Sequence, residues 1–178
     1  MEMTTYFTAD THFGHTKIIE FCRRPFIGIE DMDRELISRW NLTVGKDDEV
    51  YHLGDISFRG KTATTEILKQ LNGVKHLIKG NHDHLNVESK DQFYTIKDYD
   101  EIVIEGQRIV LCHFPIESWH RMGYGAWHLH GHSHGNLLEF GKRWDVGVDV
   151  WHYCPVSFDE LKLLFAGRPI ETRDHHDV

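Results

Sequence analysis

Five short blocks, Asp10-Thr11-His12, Gly54-Asp55, Gly80-Asn81-His82-Asp83, His113 and Gly131-His132-Ser133-His134, set carboxylate, amide and imidazole groups beside turn-forming residues. Oxygen and imidazole donors without a thiolate suit divalent ions such as Mn²⁺, Fe²⁺ or Zn²⁺ better than a closed structural zinc site. Asp10, His12, Asp55, Asn81, His113, His132 and His134 make seven candidate ligands, more than one open catalytic ion needs. A bridging carboxylate would join two ions, and such a pair, about 3.5–4 Å apart, clamps the attacking and leaving oxygens of an in-line displacement. Gly54, Gly80 and Gly131 would give the backbone the sharp turns that bring these side chains together.

The elements that position the blocks can be read from residue periodicity. Residues 4–9, 49–53 and 74–79 read as strands, each running into a block, with helices expected from Asp31 and over 62–71. This alternation implies βαβ units and a largely parallel first sheet. The second half changes character, with short strands at 94–96, 101–105, 108–112, 126–130 and 143–150 and a closing helix at 158–165. Residues 14–28 read as a long connection. In an α/β sheet functional groups gather at the carboxyl ends of strands, so one edge could collect all five blocks.

Composition sets bounds. The 178 residues, 40% hydrophobic and 27% charged, fit one domain over 1–172 and a polar tail over 173–178, where His175 and His176 could bind adventitious metal. Cys22, Cys112 and Cys154 are too few and too far apart for a disulfide framework and read as reduced thiols. A net charge of −8 disfavours a broad duplex-binding face, but not an anionic substrate held by cations. With no apolar run long enough to span a bilayer and no secretory pattern at the N-terminus, the expectation is a cytoplasmic protein without membrane contact.

In order, the blocks read D-x-H, G-D, G-N-H-D, H and G-H-x-H, and the chain thereby resembles the calcineurin-like metallophosphoesterase superfamily. Asp10 to His15 (D-x-H-F-G-H) and Gly147 to Ser157 (G-V-D-V-x-x-Y-x-P-V-S) further resemble its small stand-alone bacterial and viral members. The resemblance implies an α/β/β/α sandwich, four layers with two mixed β-sheets face to face. It implies that Asp10, His12 and His134 hold a first metal, that Asn81, His113 and His132 hold a second, and that Asp55 bridges. Mn²⁺ is the expected ion, with iron, Zn²⁺, Ni²⁺ or Co²⁺ compatible. His82 would protonate the leaving oxygen, Asp83 would orient that imidazole, and a bridging hydroxide would be the nucleophile.

The implied activity is hydrolysis of a small phosphodiester or nucleotide-like substrate. A phosphomonoesterase or protein phosphatase would use the same site. A non-catalytic scaffold is the reading from another class, as in the retromer subunit that has this fold without the histidine, and His82 speaks against it. Candidate substrate contacts are His15, otherwise a plain loop histidine, Arg59, otherwise a helix cap, and Arg23 and Arg24, otherwise a solvated pair. Trp119, Tyr124 and Trp127 could stack a nucleobase or pack beneath a long loop. His128 and His130 read as structural, and His52, His76, His84, His120 and His152 have no spacing that forces a role.

Overall fold

Alternation of apolar residues with the strand period builds two sheets, as seen in a computed structural model that describes residues 3–173. The first contains β1 (Thr5–Thr8), β2 (Glu49–His52), β3 (Val74–Ile78), β4 (Thr95–Lys97) and β9 (Val156–Ser157), in the order β4-β3-β2-β1-β9. Its first four strands are parallel, and β9 adds antiparallel to β1. The second sheet holds β5 (Tyr99–Ile104), β6 (Gln107–Cys112), β7 (Trp127–His130) and β8 (Arg143–Asp145). A hairpin makes β5 and β6 antiparallel, while β6, β7 and β8 are parallel.

The pleat sorts side chains between three clusters. Phe7, Leu53 and Ile78 from the first sheet meet Ile109, Leu111 and Leu129 from the second, and Phe158, Leu161 and Phe165 of α5 (Phe158–Ala166) join them. Alternate residues Val50 and Leu77 face the opposite way, under α1 (Thr16–Phe21), α2 (Ile29–Thr43) and α3 (Lys61–Gln70). In α2, Met32, Leu36 and Trp40 recur at four-residue spacing and bury one face, and Glu30 and Asp31 complement the positive helix start. A short α4 (Val87–Lys90) packs on α3 through Ser89 and Thr65. The outer face of the second sheet has a thinner cover, a 3-10 turn (Met122–Tyr124) and loops that place Trp119, Met122 and Phe140 on Val110.

The two mixed sheets with helices are those expected, with local differences. The connection over 14–28 contains α1, whose one buried residue, Ile18, leaves no periodicity to read. The strand expected over 143–150 stops at Asp145, because Asp145 Oδ1 accepts the Gly147 N–H (2.7 Å) and turns the chain. Residues beyond the turn cross to the other sheet, where Gly147 pairs with Ala9 and the Val148 N–H bonds Ala9 O (3.0 Å). Residues 174–178 of the expected tail, with His175 and His176, lie outside the described residues. Arg173, its first residue, lies over the Phe140 ring and near Glu117. Among the described residues no helix is long and apolar enough to cross a membrane.

Candidate metal centre

The parallel strands deliver the blocks at their carboxyl ends. β1 leads to Asp10 and His12, β2 to Asp55, β3 to Asn81 and His82, β6 to His113, and β7 to His132 and His134. Asp10, His12, Asp55 and His113 are buried, whereas Asn81, His82 and His132 are exposed. The site is therefore a buried floor with an open rim.

Ligand atoms fall into two groups. One joins Asp10, His12 and His134, the other Asp55, His113 and His132, with all atoms in each within 4.8 Å of one another. Asn81 belongs with the second, its Oδ1 lying 3.1 Å from His113 Nε2. Asp55 Oδ2 lies between the groups, 3.7 Å from His12 Nε2 and 3.6 Å from His113 Nε2. All seven expected ligands are thus brought together, with Asp55 in the shared position.

Backbone geometry is spent on this arrangement. Asp10, His12, Asp55, His132 and His134 all have left-handed φ values, of 57°, 50°, 58°, 68° and 47°. An L-residue reaches that region at roughly 1–2 kcal/mol, so the surrounding structure must hold each one there. Gly54 (φ 89°) needs its freedom, and a Cβ there would also lie 2.4 Å from the Gly80 nitrogen. Gly80 and Gly131 act by lacking bulk, since a Cβ would come within 2.2 Å of Asp55 Oδ1 or 2.6 Å of Asp10 Oδ2.

Neighbouring groups fix how the ligands face. The His113 Nδ1–H donates to Leu53 O (2.7 Å), which turns Nε2 toward Asp55 and Asn81. His134 Nδ1 bonds Asp149 Oδ2 (2.7 Å), leaving its Nε2 for the first group. The Asp10 Oδ2 atom accepts the His132 N–H (2.8 Å), and Asp55 Oδ1 accepts that of His82 (2.9 Å), so each carboxylate keeps one oxygen for an ion. Asp145 shapes the turn between the last two ligands by accepting the Ser133 hydroxyl (2.6 Å) and the Gly135 N–H (2.9 Å).

The electrostatics call for cations. Burial, with Asp145 and Asp55 nearby, raises the Asp10 carboxyl well above its usual range despite the opposing pull of His134. Burial and the charges of His134 and Arg24 push His12 down to about 2, so it stays neutral as a ligand must. Asp10 Oδ1 and His12 Nδ1 and Nε2 are buried without hydrogen-bond partners. Polar atoms are rarely left so, and a divalent ion between Asp10 Oδ1 and His12 Nε2, 3.9 Å apart, would satisfy both facing atoms. The donor set and its orphaned atoms fit the implied metals.

Some expected contacts differ. Asp83 does not hold the His82 imidazole. Its carboxylate accepts three backbone N–H groups instead, from Gly80 (2.8 Å), Asp55 (2.9 Å) and Ile56 (2.9 Å), and so ties two ligand loops together. His82, its side chain 45% exposed, leans on Phe58 with ring centroids 4.8 Å apart, and its Nε2 lies 4.0 Å from Asp55 Oδ2.

Arg24 is no substrate arm. It is buried, with Nε and an Nη each 2.8 Å from Asp149 oxygens and further bonds to the carbonyls of Asp10 (2.8 Å) and Thr11 (3.0 Å). Arg24→Met would remove the forked partner of Asp149 and leave His134 alone to balance that carboxylate, and a loss of about 3 kcal/mol is expected from urea unfolding. A loss under 1 kcal/mol accompanied by weaker substrate binding would return Arg24 to the substrate side.

Arg59 is partly exposed and bound to Asp33 through Nε (2.9 Å), while Arg23 is exposed. His15 stacks on Phe58 at 4.1 Å, with its ring 5.5 Å from that of His12. Trp119 and Trp127 are buried in packing clusters. Tyr124 is exposed but stands under Arg121 beside the β5–β6 hairpin, at the end of β6 opposite His113. None of the three can stack a substrate held at the ligands. His128 and His130 are structural, as read: the Ile116 N–H donates to His128 Nε2 (3.1 Å), and His130 is held between Gly131 O and Glu139.

Four contributors carry little local signal in the sequence. His52 accepts the Gly54 N–H at Nδ1 and donates through Nε2 to Thr11, and burial lowers it to about 4, so the link between two blocks stays neutral. Asp149 supports His134, and its only sequence signal is its place in Gly147-Val-Asp-Val150. Phe58 and Phe114 are apolar residues left exposed at the rim.

Known proteins match this arrangement in sequence and shape. The profile of the calcineurin-like phosphoesterase superfamily domain matches residues 3–148. The chain is 35% identical to an uncharacterized protein of Methanocaldococcus jannaschii over 177 residues, 94% of each chain. It is 31% identical to the Gene 66 protein of Mycobacterium phage D29, over 89% of this chain and 94% of that one. The crystal structure of a protein of unknown function from Aquifex aeolicus superimposes with a TM-score of 0.73 at 27% identity, over 92% of this chain and all of the other.

Proposed function

The chain belongs to the calcineurin-like phosphoesterase superfamily, and from that premise we propose that it hydrolyses small phosphodiesters, nucleotide-like esters among them, at a centre for two divalent ions, Mn²⁺ foremost. Membership carries metal-dependent phosphoester hydrolysis. The observation that supports a shared centre is Asp55 Oδ2, within 3.7 Å of His12 and 3.6 Å of His113 although these histidines belong to separate ligand groups.

Asp10, His12 and His134 would hold one ion, Asn81, His113 and His132 the other, and Asp55 both. The chemistry supplied by ions held there is Lewis acidity toward phosphoryl oxygens and a water of lowered pKa. His82 is the one histidine of the blocks left outside both groups. Its exposure at the rim, with Nε2 4.0 Å from Asp55 Oδ2, supports reading it as the group that would give its proton to the departing oxygen. Asp83 keeps the His82 and Asp55 loops in register through the backbone. The partner is a small ester rather than a duplex, given a net charge of −8.

Two outcomes test this. With Mn²⁺, bis-p-nitrophenyl phosphate should be hydrolysed with higher kcat/KM than p-nitrophenyl phosphate. The reverse order would favour the monoesterase, and protein that is purified without metal and stays inactive after Mn²⁺ is added would revive the scaffold.

Proton linkage supplies the second. Burial alone would lower His134, but its bonds to Asp149 and Cys22, and the Asp10 charge, outweigh that and carry it up to about 10 without metal. A protonated imidazole must lose a proton to ligate. Mn²⁺ binding should therefore release protons and tighten as pH rises from 7 toward 10. Calorimetry in buffers of different ionisation enthalpy would read this, and an affinity independent of pH would count against His134 as a ligand.

A further inference from the structure

Two exposed phenylalanines stand at the rim where an α/β protein would ordinarily place polar residues. Phe58 is 41% exposed and Phe114 is 45% exposed, and each follows a ligand closely, Asp55 and His113. Each ring touches a different ligand group, Phe58 the first through His12 and Phe114 the second through His113 and His132. Phe58 lies against His12 (5.3 Å between centroids), His15 (4.1 Å) and His82 (4.8 Å). Phe114 lies in T-shaped contact with His113 (5.0 Å) and His132 (4.9 Å) and is still 45% exposed. A phosphate seated between the groups would have one apolar ring beside each.

We propose that Phe58 and Phe114 bind the two ester arms of the substrate, which makes a phosphodiester with planar, nucleoside-like arms the preferred class. The inference rests on the hydrolase reading above and deepens it. His82 protonates the leaving oxygen, so the leaving arm lies beside His82 and therefore beside Phe58. The retained arm extends past the second group toward Phe114. A monoester has one arm and leaves Phe114 in water. An alkyl arm covers less of a ring than a base does, and base stacking is tolerant of sequence because every base presents a π-face. The rings thus select for arm shape without naming a base.

The retained arm can be tested alone. Thymidine 5′-p-nitrophenyl phosphate and methyl p-nitrophenyl phosphate share a leaving group and differ in that arm. The unmodified, Mn²⁺-loaded chain should prefer the thymidine ester in kcat/KM and bind thymidine 5′-monophosphate more tightly than inorganic phosphate in calorimetry. Phe114→Ala should reduce both preferences about tenfold, read as the ratio of kcat/KM on the two esters and the ratio of affinities for the two ligands. Phe114→Tyr should keep both preferences. Equal loss on the two esters, or no thymidine preference in the unmodified protein, would overturn the assignment while leaving the hydrolase intact. Hydrolysis of neither ester would instead overturn the hydrolase reading, and this inference with it.

Discussion

Asp55→Ala is expected to remove metal binding and hydrolysis together, with kcat/KM down by about three orders of magnitude or more. The reason is positional: one oxygen of Asp55 faces the imidazoles of both ligand groups, so a single truncation weakens two sites at once. The protein itself should survive. The Asp55 charge repels that of Asp10, and removing it relieves this repulsion in the metal-free fold. Asp55→Asn is the sharper variant, because its amide oxygen can still accept the His82 N–H that Asp55 Oδ1 accepts at 2.9 Å. In thermal melts, Mn²⁺ should raise the Tm of the unmodified chain, by about 2.7 kcal/mol of stabilisation for each ion at a hundredfold excess over its Kd, and leave the Asp55 variants nearly unmoved. A variant that keeps full Mn²⁺ stabilisation would show that Asp55 is not shared.

His82→Ala should behave in the opposite way toward metal. The side chain lies outside both ligand groups and is 45% exposed, so metal content and Tm should stay close to those of the unmodified protein. Turnover is where the effect belongs. A positioned general acid contributes roughly 10²–10⁴-fold, and the contribution is needed most when the departing oxygen is a poor leaving group. Alkyl phosphodiesters should therefore lose most of their rate and p-nitrophenyl esters far less. Equal loss on both substrates would assign His82 to binding rather than to proton transfer, and full retention on an alkyl diester would remove it from the reaction.

Much of this site was legible because each ligand block is local. A residue pair such as Asp10 and His12, or His132 and His134, carries its chemistry and its turn within three positions, directly after a strand. The parallel strand order then gathers those turns without further instruction. What could not be read depends on partners far along the chain. Arg24 looked like a loop cation, yet its carboxylate partner lies 125 residues away, and no local pattern distinguishes a buried fork from a solvated one. Asp83 sits beside His82 in sequence, but its acceptor oxygens turn to the backbone of Asp55 and Ile56.

The same limit applies to elements. Residues 146–150 alternate like a strand, and Asp145 breaks the alternation by capturing the Gly147 N–H, which frees Asp149 to reach His134 and Arg24. The two-residue β9 has too little length to show a period and exists through its pairing with β1. Phe58 and Phe114 were passed over for a related reason. An apolar residue after a ligand reads as core, and only the folded chain shows that it stays at the surface.

One carboxylate shared by two ion sites fixes how many ions the chain must bind. Metal-free protein titrated with Mn²⁺ should bind two equivalents per chain by elemental analysis, with hydrolysis of bis-p-nitrophenyl phosphate appearing only as the second fills. Saturation at one equivalent with full activity, or full activity with none, would contradict the shared carboxylate.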